Sequence, residues 1–222
     1  MVKEGFGKVV DFGIEDQVYP LDFTLSNLEL TTDLISDTDL FSEWVSQKLL
    51  KHGCRYGIGG YDEHRTIYSR SEHFNDSEEP RRLHLGIDIW AAAGTTVYAC
   101  SDAIVHSFQF NDHFGDYGAT IVLEHIFGES KFYILYGHLS LYSLDGLKEG
   151  LSIEKGTAFA QFGKQEENGH WPPHLHFQVI KDMEGFKGDY PGVCQYSKRE
   201  AYLSNCPNPD FILNNTFKTM SF

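Results

Sequence analysis

Leu40, Phe41, Trp44, Val45 and Leu49 recur at the three- and four-residue spacing of a single helix face. Ser36-Asp37-Thr38-Asp39 precedes them and reads as a helix start, because a Ser followed three residues later by an acid can cap free N–H groups. Gly53 follows as a C-terminal stop. The pattern predicts a helix over about residues 38–52 with one buried face and no chemistry on it. From Tyr56 the period changes. Short runs rich in Val, Ile, Tyr and Phe alternate with Gly, Asp, Asn and Pro, as antiparallel strands and their turns do. Expected strands are 66–69, 87–91, 96–99, 104–110, 119–125, 132–138, 157–162 and 174–180. The acidic stretch 75–79 before Pro80 reads as an exposed loop. Beyond Ile180 the pattern becomes irregular, and Pro207-Asn208-Pro209 opposes regular structure near the end. The expected fold class is therefore mainly β, an antiparallel sheet core with a short N-terminal helical segment. Residues 1–55 form the helical and extended N-terminal segment, 56–182 the β domain, and 183–222 an irregular extension packed on it.

Composition narrows the function. The 222 residues are 41% hydrophobic, enough for one sizeable core or one core plus a small appended subdomain. A net charge of −14 disfavours nucleic acid, anionic membrane surfaces and other polyanions, and suits a neutral or cationic substrate. Cys54, Cys100, Cys194 and Cys206 are widely spaced and contain no CxxC pair, so buried or free thiols are expected. A Cys194–Cys206 bridge stays open as an alternative. The first twenty residues contain acids and lack the apolar run of a signal peptide, and no stretch approaches the ~20 apolar residues of a membrane span. A soluble, cytoplasmic protein is the expectation.

The eleven histidines carry the chemistry. His84 and Asp88 stand four apart in His84-Leu85-Gly86-Ile87-Asp88. On a straight strand they would share a face but lie ~13 Å apart. One metal with ligand bonds of ~2 Å cannot bridge that span. The backbone must bend between them, and Gly86 permits a bend without Cβ strain. In Pro172-Pro173-His174-Leu175-His176-Phe177-Gln178, the two imidazoles project from one strand face while Leu175 and Phe177 turn to the other. One imidazole can ligate while the other reaches a water or substrate. His138, in Tyr136-Gly137-His138-Leu139-Ser140, sits at a strand end beside glycine as a solvent-accessible proton carrier.

HxGxD, YGHLS and PHLHF, in that order within one β-rich domain, resemble the lysostaphin- and LytM-like zinc metallopeptidases of peptidase family M23, across roughly residues 80–180. The resemblance implies the duplicated-hybrid-motif-like β fold of that family. It also implies that His84, Asp88 and His176 bind Zn2+, and that His138 and His174 polarise the water and steady the oxyanion. Two imidazoles and one carboxylate leave a fourth tetrahedral position for water, the catalytic rather than the structural zinc pattern. A histidine base removes the need for the glutamate of HExxH, a motif this chain lacks. More narrowly, Gly59-Gly60-Tyr61-Asp62-Glu63, Asn168…Trp171-Pro172-Pro173 and Cys206-Pro207-Asn208-Pro209 look like M23 domains fused to class-III aminotransferase and kinase-like domains.

The implied function is a zinc endopeptidase cutting a peptide bond in peptidoglycan or a related peptide. The alternatives are a zinc hydrolase of another amide and a non-catalytic binding module. Oligomeric state is not legible. Residues 1–55 covering the cleft is a further expectation. Glu63 and Arg65 read as an ion pair, His125 as a structural residue, His106 as a strand residue on the wetter face, and Asn111, Asp112 and Asp116 as turn residues. His113 and His170 fall in loops, and His52, His64 and His73 receive no role.

Overall fold

The N-terminal helix forms from Thr38 to Lys51 and is capped by Asp37, whose carboxylate accepts from the amides of Asp39 and Leu40. Ser36, the expected cap, instead ends a preceding short helix, Thr32–Ser36, capped by Thr31. Phe41, Val45 and Leu49 are the buried stripe, whereas Leu40 is half exposed. At the other end Gly53 adopts a φ of 64°, and the amides of Gly53 and Cys54 close back onto the carbonyls of Leu50 and Leu49. That double closure needs a left-handed residue, which is why glycine stops this helix.

The computed structural model describes residues 5–13, 16–75, 77–127, 130–213 and 218–219. Nine strands form the main sheet, in the order Ser152–Ile153, Ala103–Asn111, Gly118–Phe127, Ser130–Leu139, His174–Ile180, Ile87–Trp90, Tyr56–Gly59, Gln17–Leu21 and Lys218–Thr219. Pairing is antiparallel except around Gln17–Leu21, which runs parallel to both its neighbours. Thr96–Tyr98 pairs separately with Ala158–Gln161, and a small sheet joins Val193–Cys194, Leu83–His84 and Glu63–His64. The fold is mainly β, as the alternation of the sequence predicts.

Both faces of the sheet are buried, by two different cores. Ile87, Ile89, Ile121, Leu123, Ile134, Tyr136, Leu175, Phe177 and Val179 fill one. On the other face Val122, Leu135 and Ile180 meet Leu83, Leu85, Tyr190, Cys194 and Cys206 from the flanking segments. A fully buried Phe or Leu contributes about 1.5–3 kcal/mol, so these layers hold the strands at fixed height beneath the polar residues that share the second face. All four cysteines are free and buried. Among the described residues, no helix is long and apolar enough to cross a membrane.

Two expectations fail locally. The expected strand at 66–69 is a 3-10 turn, Ile67–Arg70. Ile67 and Tyr68 are consecutive and both enter one core, with Phe74 and Trp171. A strand would send them to opposite faces, so local β-propensity yields to tertiary burial. The segment beyond Ile180, expected to be irregular, carries short helices at Arg199–Asn205 and Asp210–Leu213. Pro207 and Pro209 separate the two helices without preventing either.

Candidate metal centre and cleft

His84, Asp88 and His176 converge. His84 closes the Leu83–His84 strand of the small sheet, and Asp88 lies in Ile87–Trp90 of the main sheet, opposite His176 in the pairing register. The chain changes sheets across Leu85-Gly86, which supplies the bend that the spacing requires. Gly86 has an ordinary φ, however. A Cβ there would lie 2.8 Å from His176 Cε1 and 2.9 Å from the carbonyl of Phe177. Glycine is required because the His176 ring passes over it, rather than because the bend strains Cβ.

Three ligand-capable atoms meet at this point. His84 Nε2 lies 2.9 Å from His176 Nδ1 and 3.2 Å from Asp88 Oδ1, and His176 Nδ1 lies 3.1 Å from the same oxygen. Ligands held ~2.0–2.1 Å from a tetrahedral Zn2+ are separated by about 3.3–3.4 Å, close to these spacings. The outer nitrogens fix the protons. His84 Nδ1–H donates to the carbonyl of Gly60 at 2.8 Å, and His176 Nε2–H donates to Gln178 Oε1 at 2.8 Å. In the neutral rings, two nitrogen lone pairs and a carboxylate oxygen therefore face one another with no proton among them. Such a donor set fits a divalent cation.

The electrostatics favour the same reading. Asp88, His84 and His176 are each at most 3% exposed. Burial pushes the Asp88 carboxyl up, but its neighbours, the Arg65 guanidinium among them, hold the group well below the usual carboxylate range. Burial, reinforced by Arg65, pushes His84 down to about 3, so its ring stays neutral and able to ligate. Arg65 is fully buried, paired with Glu63 at 2.6 Å and with Asp88 Oδ2, and it donates to Tyr68 Oη at 3.2 Å. The Glu63–Arg65 ion pair is as the sequence suggests. Its extension to Asp88, 23 residues away, has no signal in local spacing.

His138 and His174 form a second group. Their ring centroids lie 4.1 Å apart. His174 Nδ1–H donates to the carbonyl of Pro172 at 2.7 Å, and its ring stacks on Trp90 at 3.9 Å. His138 Nδ1–H donates to the carbonyl of Asn168 at 2.8 Å. Both rings thus keep Nε2 for the cleft. Burial, followed by the neighbouring His174 and His176, pushes His138 well below the usual histidine value, and burial pushes His174 down to about 4.

His138 reaches the cleft through a bulge. Ala119 pairs with Leu139 and Ile121 with Tyr136, so Thr120 faces the two residues Gly137 and His138. Tyr136 and Leu139 both enter the first core, which strict alternation over three residues forbids. The extra residue, at a φ of 62°, turns His138 from the core face to the cleft. That left-handed conformation costs a non-glycine residue roughly 1–3 kcal/mol.

The cleft is also lined by Tyr68, Trp90, Tyr117 and Trp171, and by a polar end comprising His73, Arg81, Asp116 and Asp189. Tyr117 lies between His138 and His176, with ring centroids 5.5 and 5.1 Å away, and its hydroxyl donates to the carbonyl of Tyr190. Asp116 lines the cleft while accepting from the amide of Tyr117, so it is both a turn residue and a wall residue. The role of His73 as a lining residue was not legible, since nothing in its neighbourhood marks it. Among the described residues, none from the N-terminal 55 lines the cleft. Phe23 and Phe41 instead pack behind Trp90, correcting the expectation of a covering segment. His125 is remote and structural: buried, bonded to Ser101 and Asp102, and stacked on Phe132.

Comparison with known proteins bears on this arrangement. A family model described as Peptidase family M23 matches residues 82–187. The chain is 31% identical over 126 residues to the DD-carboxypeptidase/endopeptidase Mpg of Neisseria meningitidis serogroup B, covering 54% of this chain and 26% of that protein. It is 30% identical over 125 residues to the L-Ala--D-Glu endopeptidase of Bacillus subtilis, covering 53% of this chain and 36% of that protein. The match therefore spans roughly a quarter to a third of these relatives. The catalytic domain of lysostaphin from Staphylococcus simulans aligns with a TM-score of 0.41 and 25% identity, over 60% of this chain and 80% of that one. Residues 82–187, the stretch that the family model matches, contain His84, Asp88, His138, His174 and His176.

Proposed function

We propose that this chain is a zinc-dependent metalloendopeptidase that hydrolyses a peptide bond in peptidoglycan or a related peptide. The observation that carries the reading is the meeting of His84 Nε2, His176 Nδ1 and Asp88 Oδ1 within about 3 Å, with the outer nitrogens of both rings already donating elsewhere. Zn2+ bound there would supply Lewis acidity and lower the pKa of a coordinated water.

This chain's residues would do the rest. His138 and His174 would present neutral Nε2 atoms that accept a proton from the attacking water and return it to the leaving amine. With either ring protonated, the same atom donates to the developing oxyanion. The backbone bonds to Asn168 and Pro172 fix both ring orientations without changing through such a cycle. Tyr68, Trp90 and Trp171 would limit water in the cleft.

The substrate class draws on the two relatives, both of which bear the names of endopeptidases. The narrower likeness to M23 domains fused with aminotransferase- and kinase-like domains is part of this proposal. Its support is that the residues quoted for it touch the site: Gly60 holds His84, Asn168 holds His138, and Cys206 lies behind His176 through Gln178. The division into 1–55, the peptidase domain 56–182 and an extension 183–222 belongs to the same reading.

Elemental analysis of protein purified without chelator, followed by assay on peptidoglycan fragments and glycine-rich peptides, tests the proposal. About one zinc per chain and chelator-sensitive cleavage are expected. Protein without stoichiometric metal would overturn the zinc assignment, and zinc-loaded protein that cuts no peptide would overturn the endopeptidase assignment.

A further inference from the structure

Gln178 follows His176 by two residues on the same strand and projects from the same face. Its side chain is fully buried and makes three polar contacts with neighbouring residues. Oε1 lies 2.8 Å from His176 Nε2, while Nε2 lies 3.1 Å from the carbonyl of Pro191 and 3.3 Å from Cys206 Sγ.

These contacts leave the amide one satisfactory orientation. A carbonyl oxygen can accept but not donate, so the NH2 group must face Pro191, and the sulfur of Cys206 gives its second hydrogen an acceptor. Oε1 then faces the imidazole and requires a proton on His176 Nε2. The opposite tautomer would place a proton on Nδ1, where the Asp88 carboxylate 3.1 Å away would accept it readily. That proton would occupy the space between the three ligand atoms. In that tautomer Gln178 Oε1 and His176 Nε2, both buried, would also face each other as two acceptors at 2.8 Å. Turning the amide over merely moves the conflict to Pro191.

We infer that Gln178, oriented by Pro191 and Cys206, is a positioning residue that locks His176 in the Nε2–H tautomer and so sets the zinc affinity of the site. The affinity half rests on the zinc reading above; the tautomer half does not. Pro191 and Cys206 both lie beyond residues 82–187, so the lock ties the matched domain to the segment that follows it.

Nitrogen-15 chemical shifts of the metal-free full chain read the tautomer directly, and competition with a chromophoric chelator reads zinc affinity. Wild type should show His176 protonated at Nε2. Gln178→Leu should bind zinc about 10–100-fold more weakly and lose the single tautomer. Gln178→Glu restores an acceptor to the imidazole and should hold zinc within about threefold of wild type or more tightly. Cys206→Ala should weaken zinc less than Gln178→Leu does, since Pro191 still orients the amide. The inference is overturned if wild-type His176 carries its proton on Nδ1, or if Gln178→Glu binds zinc as weakly as a ligand-deleted chain. Should Gln178→Leu fail to fold, the wild-type tautomer and the Gln178→Glu affinity still decide. A wild-type chain that shows the Nε2–H tautomer but binds no zinc would sink the zinc reading alone.

Discussion

The two sides of the cleft use imidazoles differently. On one side His84 and His176 are anchored through opposite nitrogens, Nδ1 in the first and Nε2 in the second, and their remaining lone pairs converge on Asp88. On the other side His138 and His174 are anchored through the same nitrogen, Nδ1, to backbone carbonyls, and neither faces a carboxylate at hydrogen-bond distance among the described residues. The first arrangement gathers electron pairs around a point and suits a cation. The second keeps two neutral bases in reserve beside it. Residue type is identical on both sides, so under the proposed function the anchoring partner of each ring would separate a ligand from a proton carrier.

The most severe way to break this contrast is on the ligand side. Asp88→Asn preserves shape but removes the only negative charge among the three proposed ligand atoms and leaves buried Arg65 facing a neutral amide. Stoichiometric zinc should disappear on elemental analysis after dialysis, and peptide cleavage with it. Breaking one partner of a buried pair costs about 3–5 kcal/mol, so a lower Tm should accompany the loss. A variant that keeps its zinc would show that Asp88 is not a ligand.

On the other side, His138→Ala should leave the metal content unchanged while turnover on a cleavable peptide falls by about 10²–10⁴-fold, the usual contribution of a general base or acid. Parallel loss of metal and turnover would erase the distinction between the two sides. Unchanged turnover would remove His138 from the chemistry.

A further effect is one of pH, and the two sides share it. In the metal-free protein burial holds His84 at about 3 and His174 at about 4, while unfolded histidine titrates near ~6.5. Between those values the unfolded state binds more protons. Stability from these groups is therefore complete above about pH 6.5 and falls as pH drops towards about 4. Each such histidine contributes at most about 1.4 kcal/mol per pH unit across the window. His125, pushed down to about 4 by burial and far from the cleft, adds to the same slope. Thermal unfolding of chelator-treated protein should give a lower Tm at about pH 5 than at about pH 7.5. Equal values would mean that these rings are not held neutral.

Much of the site was legible because its residues obey short-range geometry. The period of a strand places His174, His176 and Gln178 on one face and Leu175, Phe177 and Val179 in the core. The impossible span from His84 to Asp88 on a straight strand forces a bend, and the chain changes sheets there. Legibility failed where burial overrode local preference. Thr66–Ser69 has strand-forming residues, yet consecutive Ile67 and Tyr68 both had to point inwards. At the N-terminal helix the nearer acceptor, Asp37, displaced Ser36 as the cap.

The chain by itself thus determined which side chains make up the candidate site and which face of each strand they share, since both follow from residue type and a two-residue period. Tertiary structure decided the remainder. It turned His138 out of the core through an extra residue opposite Thr120, and it brought Arg65 to Asp88. It also set Gly60, Gln178, Asn168 and Pro172 as the acceptors that fix a proton on each ring. The physical reason is that a histidine's chemistry depends on which nitrogen holds its proton. That choice is made by an acceptor within about 3 Å in space, and for His84 and His138 the acceptor lies 24 and 30 residues away along the chain.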